Sequence, residues 1–90
     1  MMYKRKDDVI FSVLDNEVCI FDPKNADYLN FNSTGSEIWQ MLKNYTTTEE
    51  IVNILIKKFD VNHKECESEV EEFVEKLKFR SFIEKKETNF

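Results

Sequence analysis

The residues best suited to acid–base chemistry in this 90-residue chain surround its single histidine. His63 has carboxylates nearby at Asp60 and Glu65. A catalytic site, however, needs mutually positioned groups, such as a nucleophile with its base. One histidine in so polar a stretch does not supply that arrangement and is typical of a solvated loop. The sequence therefore predicts that the protein is not an enzyme.

Cation binding is the chemistry suggested by a run of glutamates at positions 65, 67, 69, 71, 72 and 75. The run lacks the glycine turn and the spacing of a calcium loop, so it predicts a solvated helix face. The alternative is a surface that attracts basic segments of a partner. Cys19 and Cys66 show no CxxC spacing, which favours two reduced thiols and no metal site. No cofactor is predicted.

A backbone site is indicated by the segment from Ala26 to Phe31, which reads as the third of three strands. A three-stranded sheet has two edges, and this strand has no proline and one charged residue, Asp27. It therefore carries little that blocks pairing with another chain. An extended peptide could add to it through main-chain hydrogen bonds. The alternative is that the strand lies within the sheet or is covered.

Two further strands are predicted before this one, at residues 8–14 and 17–22, joined by the turn-forming pair Asp15-Asn16. Pro23 ends the second strand. The short basic stretch Lys4-Arg5-Lys6 favours a flexible N-terminal arm, and residues 85–90 a disordered tail. We expect a single domain over residues 1–90 with an ordered core of about residues 8–84.

Three helices are predicted after the strands. The first begins at a cap on Asn32 or Ser33, with a capping box over residues 34–37, and the second begins at Thr47. The third carries an apolar stripe made of Cys66, Val70, Phe73, Val74 and Leu77. Strands followed by helices indicate the α+β class, with a small antiparallel sheet packed on a helical bundle.

Composition narrows the possible partners. The net charge of -5 argues against tight nucleic-acid binding, which draws much of its affinity from basic residues on phosphates. No apolar run approaches the roughly 20 residues that a membrane span requires, and the N-terminus lacks the apolar core of a signal peptide. We expect a cytoplasmic protein with no nucleic-acid or membrane partner.

Several short motifs follow one another in a defined order and spacing along the chain. They are Asp22, Tyr28-Leu29-Asn30, Thr34-Gly35, Ile38-Trp39, Leu42, Thr47, Glu50-Ile51, Val70, Phe73, Leu77 and Phe82-Ile83. In their order and spacing, these motifs resemble the PqqD family over roughly residues 8 to 84. Members of that family are RiPP recognition elements, domains that bind ribosomally made precursor peptides and resemble a winged helix-turn-helix. One departure is that members often have a glycine near the end of the last helix, where this chain has Arg80-Ser81.

The resemblance implies that a leader peptide adds as a strand along the third strand, in the groove against the third helix. It implies a standalone adaptor that delivers the precursor to a maturation enzyme, such as a leader peptidase, a cyclase or a radical SAM enzyme. Carried onto this chain, the ladder uses the backbone of Asp27, Tyr28, Leu29, Asn30 and Phe31. The opposite wall is formed by outward side chains of Val70, Phe73, Lys76, Leu77 and Arg80.

Two other functions are compatible with the predicted order of elements. A winged-helix DNA-binding regulator would require a basic recognition helix, whereas the third helix is acidic and the second has only Lys57-Lys58 at its end. A structural subunit of a maturation enzyme would bind that enzyme without affinity for the leader.

Overall fold

A computed structural model describes residues 1–87 and has the α+β architecture predicted from the sequence. Its strands are β1 (Met2–Arg5), β2 (Ile10–Leu14), β3 (Glu17–Asp22), β4 (Asp27–Asn30) and β5 (Ile83–Lys86). Its helices are α1 (Ser33–Met41), α2 (Thr48–Lys58) and α3 (His63–Phe79). The three predicted strands correspond to β2, β3 and β4, which precede the three helices as expected.

The antiparallel sheet has the order β2-β3-β4, so β4 lies at an edge, as its sequence predicts. The hairpin between β2 and β3 turns at Asp15 and Asn16, which adopt left-handed φ angles of 52° and 65°. Two consecutive left-handed residues give a turn whose twist matches that of the flanking strands. Residues Val18, Ile20 and Asp22 of β3 face inward and are buried, while Cys19 and Phe21 lie on the outer face.

Each helix begins at a side chain that accepts a backbone N–H from the first turn. Thr47 caps α2 as predicted, and Asn62 caps α3. Asn32 caps α1 by accepting from Gly35 N–H at 2.9 Å. The predicted capping box over residues 34–37 is therefore wrong, and Glu37 instead pairs with Lys58 of α2 at 2.6 Å. His63 is the first residue of α3 rather than a loop residue.

The prediction of a flexible N-terminal arm is wrong, because β1 pairs with β5 in a separate two-stranded sheet. On its other side, Tyr3 exchanges backbone hydrogen bonds with Thr46 at 2.7 and 3.0 Å. The Arg5 guanidinium lies over the rings of Phe11 and Trp39, at 4.7 and 5.6 Å from their centroids. Lys85 and Lys86, expected in the tail, belong to β5, and residues 88–90 of that tail lie outside the described residues.

One hydrophobic core joins the inner face of the sheet to the three helices. Trp39 of α1 is its largest fully buried side chain, and the half-buried Phe11 meets its ring edge-on. The other buried members come from every helix, from β3 and β5 and from residues next to these elements. They include Ile20, Leu42, Ile51, Leu55, Val70, Val74, Leu77, Phe82 and Ile83. Since each helix contributes a stripe at helical spacing, this part of the packing follows directly from the sequence pattern.

The end of α3 has a backbone geometry that usually requires glycine, and Arg80-Ser81 adopt it without one. The N–H of Phe82 bonds to the carbonyl of Leu77 at 3.0 Å, and the N–H of Ser81 bonds to that of Lys78 at 3.0 Å. This pair of bonds is the Schellman motif, whose left-handed residue is usually glycine. Ser81 occupies that position with a φ of 61°. The helix therefore ends in the geometry that glycine favours, and serine bears the steric cost.

Asp22, the last residue of β3, joins the β3–β4 turn to the end of α3. Its side chain is 2% exposed, and its carboxylate accepts from Lys24 N–H at 3.0 Å and from Asn25 Nδ2 at 2.9 Å. It also accepts from Arg80 Nη1 at 2.8 Å. The hydrogen bond from Asn25, followed by that from Arg80, lowers the pKa of Asp22 despite its burial. The same side chain thus shapes the β3–β4 turn and anchors α3 beside it.

The Ser81→Gly variant should be more stable than the wild type by about 0.5 to 1 kcal/mol. Glycine removes the steric cost of the left-handed φ angle. This gain is larger than the free-energy cost of ordering glycine, which has more conformational entropy than serine in the unfolded chain. Urea unfolding followed by circular dichroism measures the difference. Ser81→Ala, which keeps the Cβ atom, should give no such gain, and equal stability of the glycine variant and the wild type would contradict the strain.

Asp22 should make folding stability depend on acid pH. Because its pKa is lower in the folded than in the unfolded protein, its contribution is complete at neutral pH. That contribution is lost as the pH falls below about 4 and through the folded pKa. Urea unfolding between pH 7 and pH 3 should show a shallower loss of stability for Asp22→Asn than for the wild type. The exposed Asp60→Asn control should keep the wild-type slope, and an unchanged slope in Asp22→Asn would refute the linkage.

Candidate functional site

The open edge of β4 offers two residues whose backbone groups point away from the sheet. Phe31 N–H bonds to the Val18 carbonyl of β3 at 2.9 Å. Bonded pairs alternate along an antiparallel ladder, so the register assigns Leu29 and Asp27 to the same inward-bonding set. The N–H and C=O groups of Tyr28 and Asn30 therefore face outward. Of the residues 27–31 predicted to form the ladder, these two therefore present outward backbone groups.

The outward N–H of Tyr28 is not bare in the free protein. The carboxylate of Asp27 accepts it at 2.8 Å, in an exposed contact between neighbouring residues. The ring of Tyr28 is 65% exposed and packs against Phe21 on the outer face, with centroids 5.1 Å apart. Asp27 thus shields one donor of the edge with a contact that an arriving carbonyl can replace.

The third helix contacts the chain beside both ends of β4. Near Phe31, the ring of Phe73 lies 4.9 Å away, edge-on. Near the start of β4, Arg80 is held by Asp22. Lys76 lies between these two contacts on the same side of the helix and is exposed. The two contacts place this side of α3, with Phe73, Lys76 and Arg80, next to β4. We call the space between β4 and these three side chains the groove, and the side chains its helical wall.

Val70 and Leu77 do not point outward as predicted, because both are core residues with 1% exposure. They lie on the side of α3 that packs against the other helices and the sheet. The apolar stripe of a helix is wider than its buried centre, so helical spacing alone does not separate these residues from Phe73. Their position supports the wall from beneath rather than lining it.

Gly35 sets how closely α1 approaches this wall. A Cβ atom on Gly35 would lie 3.1 Å from the Phe73 ring and 3.2 Å from the Cβ of Phe31. Both distances are shorter than ordinary van der Waals contact. The single glycine of the chain therefore allows the first turn of α1 to pack against the Phe73 ring at the end of the groove.

A cleft of about 340 Å³ opens at the Asn32 end of the groove, between the start of α1, the end of α2 and the first half of α3. It is lined by Asn32, Thr34, Gly35, Ile38, Leu55, Phe59, Val61, Glu65, Cys66, Glu69, Val70 and Phe73. The sequence pattern does not predict this cleft, since Phe59 and Val61 come from a stretch that reads as a helix end and a connector. The two apolar residues Phe59 and Val61, so close together in a polar stretch, were the feature that could have indicated an apolar cleft.

The titratable groups of the cleft do not form a catalytic set. Burial, with a smaller effect from Glu69, raises the pKa of the Cys66 thiol and keeps it protonated. Within residues 1–87, no cluster of three or more His, Cys, Asp and Glu side chains is placed to hold a metal ion. The glutamates of α3 are exposed, as predicted for a solvated face. What the arrangement can do is bind an extended chain beside an apolar surface.

None of the helices in the described part of the chain has the length and apolar character needed to cross a membrane.

Comparison with known proteins gives one family and two closely similar folds. The family model for coenzyme PQQ synthesis protein D (PqqD) matches residues 17–83. No curated protein sequence matches the chain. TbiB1 in complex with the TbiA(beta) leader peptide is 25% identical, with a TM-score of 0.80, over 94% of this chain and 99% of that chain. Lasso peptide synthetase B1 complexed with the leader peptide shares the fold at 17% identity, with a TM-score of 0.77, over 92% and 98% of the two chains.

Amide exchange should reveal the alternation along β4 in the free protein. The amides of Leu29 and Phe31 bond to β3 and should exchange at least about tenfold more slowly than that of Asn30, which faces solvent. Hydrogen–deuterium exchange followed by NMR measures each amide separately. Protection of Asn30 equal to that of Leu29 would mean that the edge is covered.

Proposed function

The chain belongs to the PqqD family, and from this premise we propose that it binds the leader segment of a ribosomally made precursor peptide. The leader adds as a strand along β4, in the groove against α3. The observation that carries the proposal is the unpaired edge of β4 lying beside a helical wall. The fold shared with TbiB1, whose structure contains a leader peptide, supports it.

Main-chain hydrogen bonds supply the affinity in this mode of binding. Tyr28 and Asn30 each offer one N–H and one carbonyl to the added strand, and Asp27 releases the Tyr28 N–H when a leader carbonyl arrives. Leu29 and Phe31 face the core side of β4 and hold the strand in place. These four backbone groups can bond to the main chain of any peptide, whatever its sequence. The side chains of the wall therefore determine which peptides bind best.

The wall contributes three different chemistries to that choice. The half-buried Phe73 ring is an apolar contact, and Lys76 is an exposed cation. Arg80 has its charge balanced by Asp22 and therefore acts through shape more than through net charge. Val70 and Leu77 support these side chains from the core.

We further propose that the domain acts as an adaptor rather than as an enzyme. It delivers the bound precursor to a modifying enzyme or leader peptidase, such as a cyclase or a radical SAM enzyme. A small domain with an open strand edge and no catalytic set among its described residues suits this role. The exposed glutamates along α3 disfavour the winged-helix alternative, since a recognition helix in the major groove lies close to phosphates.

The Asn30→Pro variant should weaken leader binding by at least about fivefold. Proline removes the outward N–H of Asn30 without breaking a bond to β3, and edge strands tolerate proline at such positions. Fluorescence anisotropy with a labelled synthetic leader from the neighbouring gene cluster measures the dissociation constant.

The matched control for this experiment is Asn30→Ala, which removes the side chain but keeps the N–H. It should bind the leader with nearly wild-type affinity. Circular dichroism should show both variants to be folded. Unchanged affinity in a folded Asn30→Pro protein would refute strand addition at this edge, and absence of saturable binding by the wild type would refute the proposed function.

A further inference from the structure

The cleft at the Asn32 end of the groove carries charge of one sign. Its charged lining residues are Glu65 and Glu69, and it has no Lys, Arg or His among the residues that line it. The two glutamates lie four residues apart on α3, so their side chains are neighbours on one face of the helix. The floor beside them is apolar, formed by side chains such as Leu55, Phe59 and Phe73.

Neither carboxylate of this pair is neutralised within the described residues. Other glutamates of the protein do have partners, for example Glu37 with Lys58 and Glu75 with Lys78. Within residues 1–87, no ion pair or hydrogen bond involves the carboxylate of Glu65 or of Glu69, since the bond between Glu65 and Asn62 uses the backbone N–H of Glu65. Both residues are exposed. Their charge is therefore available to a molecule that enters the cleft.

The cleft continues the edge of β4. The backbone is still extended at Asn32, with φ of -70° and ψ of -179°, and Asn32 itself lines the cleft. A strand bonded to Tyr28 and Asn30 advances about 3.3 Å per residue. It therefore brings its next one or two residues over the cleft without changing direction.

We propose that this cleft selects leader peptides with a Lys or Arg residue beside a bulky apolar residue. The inference rests on the leader-binding function proposed above and names the sequence class that the groove prefers. The apolar side chain packs on Phe73 and its neighbours from α2. The adjacent ammonium or guanidinium group lies between the Glu65 and Glu69 carboxylates, where opposite charges attract at short range.

A positive charge further along the wall disfavours a basic leader residue outside the cleft. Lys76 follows Glu69 by seven residues, which places it about 10 Å further along the helix. A basic side chain of the leader beside Lys76 would face a like charge, whereas one in the cleft faces two carboxylates. The charge pattern of the leader therefore contributes to its register.

Selection from a peptide-display library on the immobilised protein tests the preference. The wild type should enrich peptides with Lys or Arg next to an aromatic or large aliphatic residue. The Glu65→Gln/Glu69→Gln variant should lose the basic residue from its selected peptides but keep the apolar one. The matched control is Glu67→Gln/Glu71→Gln, which has the same spacing and net charge but removes glutamates that face α2. It should select as the wild type does.

One selected peptide and its Lys→Gln analogue then give the size of the effect. On the wild type, the analogue should bind about fivefold more weakly at low salt, and less so at high salt. The two peptides should bind the Glu65→Gln/Glu69→Gln variant with equal affinity, because this variant lacks the carboxylates that attract the lysine. The comparison on the wild type does not depend on the folding of any variant.

The outcomes separate this inference from the proposed function. Peptides that bind the wild type and lose affinity with Asn30→Pro, but show no difference between Lys and Gln, would overturn the charge preference alone. An equal loss of preference in the Glu67/Glu71 control would overturn it too, since net charge rather than the cleft would then be responsible. Failure of the library to yield any peptide sensitive to Asn30→Pro would overturn the strand-addition function itself.

Discussion

The structure depends on one constraint, which is that β4 has a hydrogen-bonding neighbour on one side only in the described part of the chain. Backbone groups without partners are tolerated at a sheet edge because water can reach them, yet the same groups invite pairing with other chains. This protein keeps that edge short, at four residues, and shields one of its donors with the carboxylate of Asp27. Among residues 1–87, a single replaceable contact thus protects the edge, with no proline, bulge or covering segment.

Two contacts, one beside each end of β4, hold α3 in position beside this edge. At one end the ring of Phe73 rests on Phe31, and the missing side chain of Gly35 makes room for it. At the other end Asp22 and Arg80 join the β3–β4 turn to the last turn of the helix. A groove held at both ends can bind a peptide with little rearrangement, which lowers the entropic cost of binding.

The sequence predicts the parts of the structure that depend on neighbours along the chain. The Asp15-Asn16 turn, the cap at Thr47 and the apolar stripes of the helices are all local, and the structure has each of them. The pairing of β1 with β5 joins residues more than seventy positions apart, and no local pattern in a basic tripeptide indicates it. The same distinction applies to the site. The edge strand can be predicted from its composition. The burial of Val70 and Leu77 and the shape of the cleft cannot, because they depend on how the three helices pack together.

The β1–β5 sheet lies on the opposite flank of α3 from the groove, where the Lys78 ammonium sits 5.7 Å from the centre of the Tyr3 ring. Because Met2 pairs with Lys86, the two ends of the described chain lie side by side on that flank. A label or surface attachment on Met2 or Lys86 therefore leaves β4 and its cleft accessible. A short peptide that joins residue 2 to residue 86 would close this part of the chain into a ring, which suits it to circular permutation.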